Sequence, residues 1–246
     1  MPRSQRWTAD LGVTKEELAK GIRRLGARNT APGPDGIHGR AWVLALSVLG
    51  DRLRRLFTAC LKLGRFPPIW KEASLVLLRK EGRPAESPSA YRPICLLDEA
   101  GKLFERVLAA RLKWHLSVEG PDLADCQFGF REGRSTIDAI KRVRALSEEA
   151  VSRGGVAVAI SLDIANAFNT LPWECIRRAL EFHRVPPYIR KVVGDCLKDG
   201  CITYLGRYKV PYRRETNRGV PQGSVLGPLP WDLGYDWVLR GALLTA

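Results

Sequence analysis

The chain has 246 residues, 45% of them apolar, which is enough for a buried core in one large or two small domains. Its formal net charge of +14 favours binding of polyanions such as nucleic acid or acidic lipid. The longest apolar run, residues 41–49, is too short to cross a bilayer, and the start lacks the apolar stretch of a signal peptide. These features argue against a membrane protein and predict a soluble intracellular one.

The cysteine pattern favours reduced thiols that pack in the interior over a zinc site. The chain has no C-x-x-C pair and only three histidines that might complete such a site. The widely spaced cysteines are Cys60, Cys95, Cys126, Cys175, Cys196 and Cys201.

The first predicted element is a helix that begins after Thr14. Thr14 and Glu17 form a capping box, and Leu18, Ile22 and Leu25 then follow at spacings that share one helix face. The next segment, residues 29–39, contains two prolines and three glycines, which predicts an ordered loop.

A second helix is predicted from residue 53, ending before Gly64. Its apolar face is formed by Leu53, Leu56, Phe57, Cys60 and Leu61, and its basic face by Arg52, Arg54, Arg55 and Lys62. Residues 74–78 are apolar and β-prone, so they predict a strand. The polar residues 79–93 that follow predict an exposed basic loop.

The second half of the chain predicts further helices and strands in a mixed order. Helices are expected from the N-cap Asp98 onwards and over residues 136–150, 172–182 and 187–197. Residues 156–162 form a continuous apolar run, the pattern of a strand covered on both faces. A hairpin is expected over residues 201–212 around Gly206. This order of elements predicts a mixed α/β or α+β fold.

Asp163 directly follows the predicted strand 156–162. A carboxylate fixed at the end of a strand is well placed to bind a metal ion. An Asp in this position is also common as a helix cap, so the residue alone does not decide between the two roles.

Five segments in order resemble the reverse transcriptases of non-LTR (LINE-like) retrotransposons, especially arthropod elements that insert at fixed chromosomal sites. They are residues 31–39, the loop from Lys80 to residues 91–97, and residues 127–136, 161–173 and 218–229. The resemblance implies an α+β right-hand polymerase fold. Residues 1–155 would form the fingers with an N-terminal extension, and residues 156–246 a partial palm.

The resemblance implies an RNA-directed DNA polymerase whose partners are an RNA template, a DNA primer and deoxynucleoside triphosphates, with the nucleus as its location. Asp163 matches the first catalytic aspartate, which with the main-chain carbonyl of Ile164 would hold Mg²⁺ or Mn²⁺. Phe168 matches the aromatic residue beneath the sugar, where a ring leaves no room for a ribose 2′-hydroxyl.

Other residues match the family's nucleotide and template contacts. Lys80 and Arg92, with Arg83 as a third candidate, would grip the triphosphate. Gln222 and Gly223 match the loop that packs against the nucleotide. The residues matched to the template contact are Gly129, Phe130, Arg131 and Arg134.

The sequence also departs from the family pattern. The second catalytic element, an aromatic residue followed by Ala-Asp-Asp, does not occur in it. Asp232 and Asp236 share a helix face but lie where the family has a helix after the glutamine-containing loop, so they are not expected to replace it. The expectation is a fragment that lacks the thumb and is inactive alone; the alternative is a non-catalytic nucleic-acid-binding remnant.

Overall fold

The computed structural model combines a helical core with one small mixed β-sheet, and it describes residues 7–26, 30–164, 166–206 and 208–243. The helices are α1 (Lys15–Gly26), α2 (Gly39–Leu63), α3 (Glu99–Val118), α4 (Thr136–Ser152), α5 (Ala167–Thr170), α6 (Trp173–Phe182), α7 (Pro187–Leu197) and α8 (Pro228–Leu243). The strands are β1 (Glu72–Arg79), β2 (Tyr91–Leu97), β3 (Cys201–Leu205) and β4 (Pro211–Glu215). Short 3-10 turns occupy Ala9–Leu11, Pro68–Lys71 and Pro88–Ala90. No helix of the described residues is both long and apolar enough to cross a bilayer.

The sheet has the strand order β2-β1-β3-β4. Strand β1 pairs antiparallel with β2 and parallel with β3, while β3 and β4 form an antiparallel hairpin. Gly206 lies at the tip of that hairpin and donates its N–H to the Val210 carbonyl at 2.9 Å. The α+β class, the predicted strand at residues 74–78, which lies inside β1, and the hairpin around Gly206 are therefore confirmed.

Local sequence signals set several helix ends. The Thr14 N–H donates to Glu17 Oε2 at 2.9 Å and the Glu17 N–H to Thr14 Oγ1 at 3.2 Å, so the capping box before α1 is confirmed. Helix α2 ends at Gly64, whose φ of 67° lies in the left-handed region. Leu56 was predicted on the apolar face of α2, but it is 46% exposed.

The core is built mainly from α2, α3, α6 and α7, with contributions from α1 and α8. At its centre Phe104 stacks on Phe57 and Phe66, with ring centroids 4.9 and 5.5 Å apart. Helix α3 is buried on most of its surface, which makes it the central element of the fold. The predicted helices that begin at Asp98 and lie within residues 172–182 and 187–197 are confirmed.

The proline- and glycine-rich segment is an ordered loop, as its composition predicted. Residues 30–38 form neither helix nor strand, and residue 29 lies outside the described residues. The Asp35 N–H donates to Asp98 Oδ1 at 3.0 Å. A Cβ on Gly33 would collide with the backbone of Leu97 and Asp98. The loop therefore lies against the junction between β2 and α3.

Residues 91–93 belong to strand β2, and the prediction that they continue an exposed loop is wrong. Pro93 pairs opposite Leu77 although it lacks an N–H group. Strand β2 is at the edge of the sheet, where one side of the backbone has no strand neighbour. An edge strand tolerates proline because the missing donor need not face a partner strand.

Residues 156–162 form no strand, so the prediction of a strand there is wrong. The alternate side chains Val156, Val158, Ile160 and Leu162 are 80 to 88% exposed. A strand requires a hydrogen-bonded neighbour, and none of the four strands in the described sheet borders this segment. Helix α4, just before it, forms as predicted, with Ser135 and Asp138 in a capping box, but buries none of its residues.

Candidate functional site

The loop at residues 221–223 lies along the free edge of β2. The Cys95 N–H donates to the Gln222 carbonyl at 2.7 Å. A Cβ on Gly223, whose φ is 135°, would collide with the Cys95 carbonyl oxygen. Glycine is therefore required here both by backbone conformation and by close approach. This contact places Gln222 and Gly223 beside the strand that carries Arg92.

The same loop is fixed at its other end to the residues around Phe168. The Val220 N–H donates to the Phe168 carbonyl at 2.7 Å, and the Gly219 N–H to the Leu171 carbonyl at 2.9 Å. Gly219 has a φ of 70°, and a Cβ there would collide with the Phe168 carbonyl oxygen. Backbone hydrogen bonds thus bring three segments, around residues 95, 168 and 222, into one place.

Phe168 lies in an aromatic group. Its ring centroid is 5.4 Å from that of Trp231 and 5.9 Å from that of Phe130, which meets it edge to face. Trp231 donates its Nε1–H to the Ala167 carbonyl at 2.9 Å, which fixes the indole behind Phe168. Phe130 is 63% exposed, so one end of this group faces solvent.

The predicted triphosphate-binding cations lie at the β1–β2 hairpin. Lys80 Nζ and Arg83 Nη1 both donate to the Ser89 carbonyl, at 3.1 and 3.3 Å. Arg92 pairs opposite Leu78 in the ladder, and strand alternation places Lys80 on the same face. None of these three cations forms an ion pair within the described part of the chain.

The predicted template segment is a loop whose arginines are already engaged. Arg131 donates to the Ala124 carbonyl at 2.9 Å and to Asp122 Oδ2 at 2.6 Å. Arg134 pairs with Asp125 at 3.1 Å. Gly129 is exposed, with open space around its Cα. Internal pairing lowers the net positive charge that this loop presents.

Asp163 and Ile164 lie in the exposed segment that forms no strand. Among the described residues, no three His, Cys, Asp or Glu side chains are grouped so that they could hold a metal ion. One carboxylate and one carbonyl do not balance the charge of two divalent cations. The described residues therefore do not fit a complete two-metal centre.

The two carboxylates of α8, Asp232 and Asp236, are both buried. Asp236 accepts hydrogen bonds from the Ala124 N–H at 2.7 Å and from Arg240 Nε at 2.6 Å, so it links α8 to the segment around Ala124. Asp232 is 1% exposed, and neither of its carboxylate oxygens has a hydrogen-bond partner among the described residues. Burial raises the pKa of Asp232 to about 7. Pro230 lies in the first turn of α8, where proline is tolerated.

Several residues that hold the segments of this candidate site together were not predicted from the sequence. Trp173 donates its Nε1–H to the Gly219 carbonyl at 2.8 Å, and Trp231 supports Phe168. Glu105 on α3 accepts hydrogen bonds from residues 224–226. Little in the sequence indicated this role, because Lys102 and Arg106 lie beside Glu105 and the three residues are typical of a solvated charged helix face.

Comparisons with known proteins give a consistent result. A family model described as reverse transcriptase (RNA-dependent DNA polymerase) matches residues 78–245. The probable RNA-directed DNA polymerase from transposon BS of Drosophila melanogaster is 35% identical over 222 residues, 88% of this chain and 24% of the relative. The Pol polyprotein of the type-1 retrotransposable element R1 of Bradysia coprophila is 32% identical, over 94% of this chain and 22% of the relative.

A third relative is the RNA-directed DNA polymerase from the mobile element jockey of Drosophila melanogaster, which is 33% identical. That match covers 88% of this chain and 23% of the relative. The chain thus spans about a quarter of the length of the curated relatives it matches.

Proposed function

The chain belongs to the reverse transcriptase (RNA-dependent DNA polymerase) family, and from that premise we propose that it acts in copying RNA into DNA for a non-LTR retrotransposon. In this proposal the chain adopts part of a right-hand polymerase fold. Residues 1–155 are the fingers with an N-terminal extension, and residues 156–246 contribute to the palm. Its partners are an RNA template, a DNA primer and deoxynucleoside triphosphates, which meet in the nucleus.

One observation supports the proposal most strongly. The backbone bonds Cys95 to Gln222 and Val220 to Phe168 unite segments that are about 50 to 130 residues apart in the sequence. Each of these segments carries a residue matched to nucleotide binding. An assembly of this kind is expected of a built site and not of a scattered set of similar motifs.

The chemistry of the assembled residues suits a nucleotide. Lys80 and Arg92, which have no acidic partner among the described residues, would neutralise the triphosphate. The Phe168 ring would exclude a ribose 2′-hydroxyl, and Trp231 would hold that ring in place. Gln222 and Gly223 would line the nucleotide on the side of β2.

The exposed loop with Gly129 and Phe130 is proposed to contact the template, together with Arg131 and Arg134. Mg²⁺ or Mn²⁺ is the proposed cofactor, with Asp163 and the Ile164 carbonyl among its ligands.

A second candidate is a nucleic-acid-binding protein without catalysis. The observation that favours it is the position of Asp163 in an exposed segment without strand neighbours. Binding of the incoming deoxynucleotide separates the two, and primer extension on an RNA template tests whether the 246-residue chain is catalytic by itself. We expect no extension by the 246-residue chain, because one carboxylate does not organise two metal ions. Extension that is lost in Asp163→Asn would contradict this expectation.

The nucleotide site is tested by binding the next complementary deoxynucleotide to the chain saturated with an RNA template and DNA primer. Lys80→Ala and Arg92→Ala should each weaken nucleotide binding by about tenfold, the effect of losing one charged hydrogen bond. Arg144→Ala is the control, since it removes the same charge from the exposed face of α4. Equal effects of all three substitutions would show that only the overall charge matters.

A further inference from the structure

Glu105 is a buried carboxylate beneath the proposed nucleotide loop. Its side chain lies on α3, and the residue is 4% exposed. Glu105 Oε2 accepts hydrogen bonds from the Val225 N–H at 2.6 Å, the Leu226 N–H at 3.1 Å and the Ser224 hydroxyl at 3.0 Å. The Ser224 hydroxyl oxygen in turn accepts from the Gly227 N–H at 2.9 Å. One carboxylate oxygen thus organises the whole turn.

Burying a carboxylate is unfavourable unless strong hydrogen bonds compensate for lost hydration. Burial raises the pKa of Glu105, whereas the three loop donors act in the opposite direction. No cation forms an ion pair with Glu105 within the described residues. The donors that satisfy this charge therefore come from the loop and not from a salt bridge.

The loop has three anchors, of which Glu105 is the only charged one described. Residues 219 and 220 are held by backbone carbonyls near Phe168, and residues 222 and 223 by the backbone of Cys95. Residues 224–226 are held by the Glu105 side chain. Gln222 and Gly223 thus lie between a backbone anchor and a side-chain anchor that a substitution can remove.

We propose that Glu105 is a positioning residue that fixes the loop at residues 221–226, so that Gln222 and Gly223 meet the incoming nucleotide. This inference rests on the proposed function, because the nucleotide role of those two residues is part of it. A cavity of about 70 Å³, lined by Glu105, Pro221 and Ser224 among others, lies beside the loop. The cavity leaves space into which the turn relaxes when its anchor is lost.

The substitution that tests this is Glu105→Gln, which keeps the side-chain size and removes the charge. Glu99→Gln is a matched control on the same helix. Glu99 is 2% exposed and accepts from Thr30 Oγ1 at 3.3 Å and Lys102 Nζ at 3.0 Å, which lie outside the loop. Both variants replace a buried carboxylate on α3 by a neutral amide, but only Glu105→Gln weakens the hydrogen bonds to residues 224–226.

Hydrogen exchange of the Val225 and Leu226 amides in the 246-residue chain measures the anchor directly. Glu105→Gln should speed their exchange by about tenfold, the effect of weakening a charged hydrogen bond. Glu99→Gln should leave both amides protected. Amides that stay equally protected in Glu105→Gln would overturn the inference. If that variant does not fold, Ser224→Ala removes one donor and should speed the same exchange by a smaller factor.

Binding of the next complementary deoxynucleotide to the chain saturated with RNA template and DNA primer provides the second measurement. Glu105→Gln should weaken nucleotide binding by about tenfold and leave primer–template affinity unchanged. Glu99→Gln should change neither affinity. Faster amide exchange with unchanged nucleotide affinity would overturn the positioning role. A wild-type chain that binds no nucleotide would contradict the proposed function, while the exchange measurement would still decide whether Glu105 holds the loop.

Discussion

Two regions of the molecule have similarly apolar sequences and opposite environments. The region formed by β2, α3 and the loop at residues 221–226 is packed, and α3 is buried over most of its length. The segment at residues 136–164 is exposed, although it contains an amphipathic helix and the run 156–162, in which six of seven residues are apolar. Both regions carry residues matched to the polymerase site.

The difference shows that apolar sequence is not sufficient for burial. Helix α3 is surrounded by α1, α2 and α7, each of which offers a complementary face. Residues 156–162 have no strand beside them in the described sheet, so no strand offers hydrogen-bond partners to their backbone groups. The packed region therefore fixes the loop at residues 221–226, whereas Asp163 lies in a segment that none of the described strands borders.

The largest expected contrast is in stability. Phe104→Ala removes a fully buried ring that stacks on Phe57 and Phe66, so it should lower the free energy of unfolding by about 3–5 kcal/mol. Ile160→Ala, at a side chain 80% exposed, should change it by less than about 0.5 kcal/mol. Denaturant unfolding measures both. Similar losses in the two variants would mean that the segment at 156–162 is packed in solution.

A second prediction concerns the buried carboxylate of Asp232 on α8, which has no hydrogen-bond partner among the described residues. The pKa of Asp232 is about 7 when folded against a reference of 3.8, so the folded chain retains a proton that the unfolded chain releases. Its contribution to stability is complete below pH 3.8 and is lost as the pH rises through 7. Asp232→Asn, which is neutral throughout, should therefore raise stability at pH 8 by up to about 4 kcal/mol.

Thermal or denaturant unfolding between pH 4 and pH 8 measures this effect, with the exposed Asp199→Asn as the control. Asp232→Asn should be less sensitive to pH than the wild type, and Asp199→Asn should match the wild type. An Asp232→Asn variant that is less stable than the wild type at pH 8 would show that the charged carboxylate has a partner.

The smallest expected effect on stability comes from making the exposed segment polar. Threonine or serine in place of the four exposed side chains at 156, 158, 160 and 162 should leave the unfolding free energy nearly unchanged. The same change should reduce self-association and binding of a hydrophobic dye, because it removes exposed apolar surface. Light scattering and dye fluorescence measure these changes. An unchanged tendency to associate would show that other residues form the surface through which the chain self-associates.

The sequence predicted the elements whose signals are local. The capping box at Thr14, the stop at Gly64 and the hairpin at Gly206 each depend on a few neighbouring residues. The predictions of a loop through residues 91–93 and of a strand at 156–162 were wrong, because strand formation depends on a partner that local sequence does not reveal.

The same limit applies to the site. Family resemblance named Phe168, Gln222 and Arg92, and these residues prove to lie on segments joined by backbone bonds, but their individual roles stay predictions. Glu105 and Trp231 were missed because their importance depends on contacts with residues about 60 to 120 positions away. Only the folded chain brings such residues together.

The central claim is that Phe168 forms part of a nucleotide site, and choice of sugar tests it most directly. The measurement compares binding of a complementary deoxynucleotide and its ribonucleotide to the chain saturated with RNA template and DNA primer. We expect tighter deoxynucleotide binding by the wild type, and loss of that preference in Phe168→Ala, because the ring is the barrier to the 2′-hydroxyl. Phe182→Ala, at an aromatic residue on α6 beside Trp237, should keep the preference. A preference that survives in Phe168→Ala would contradict the account.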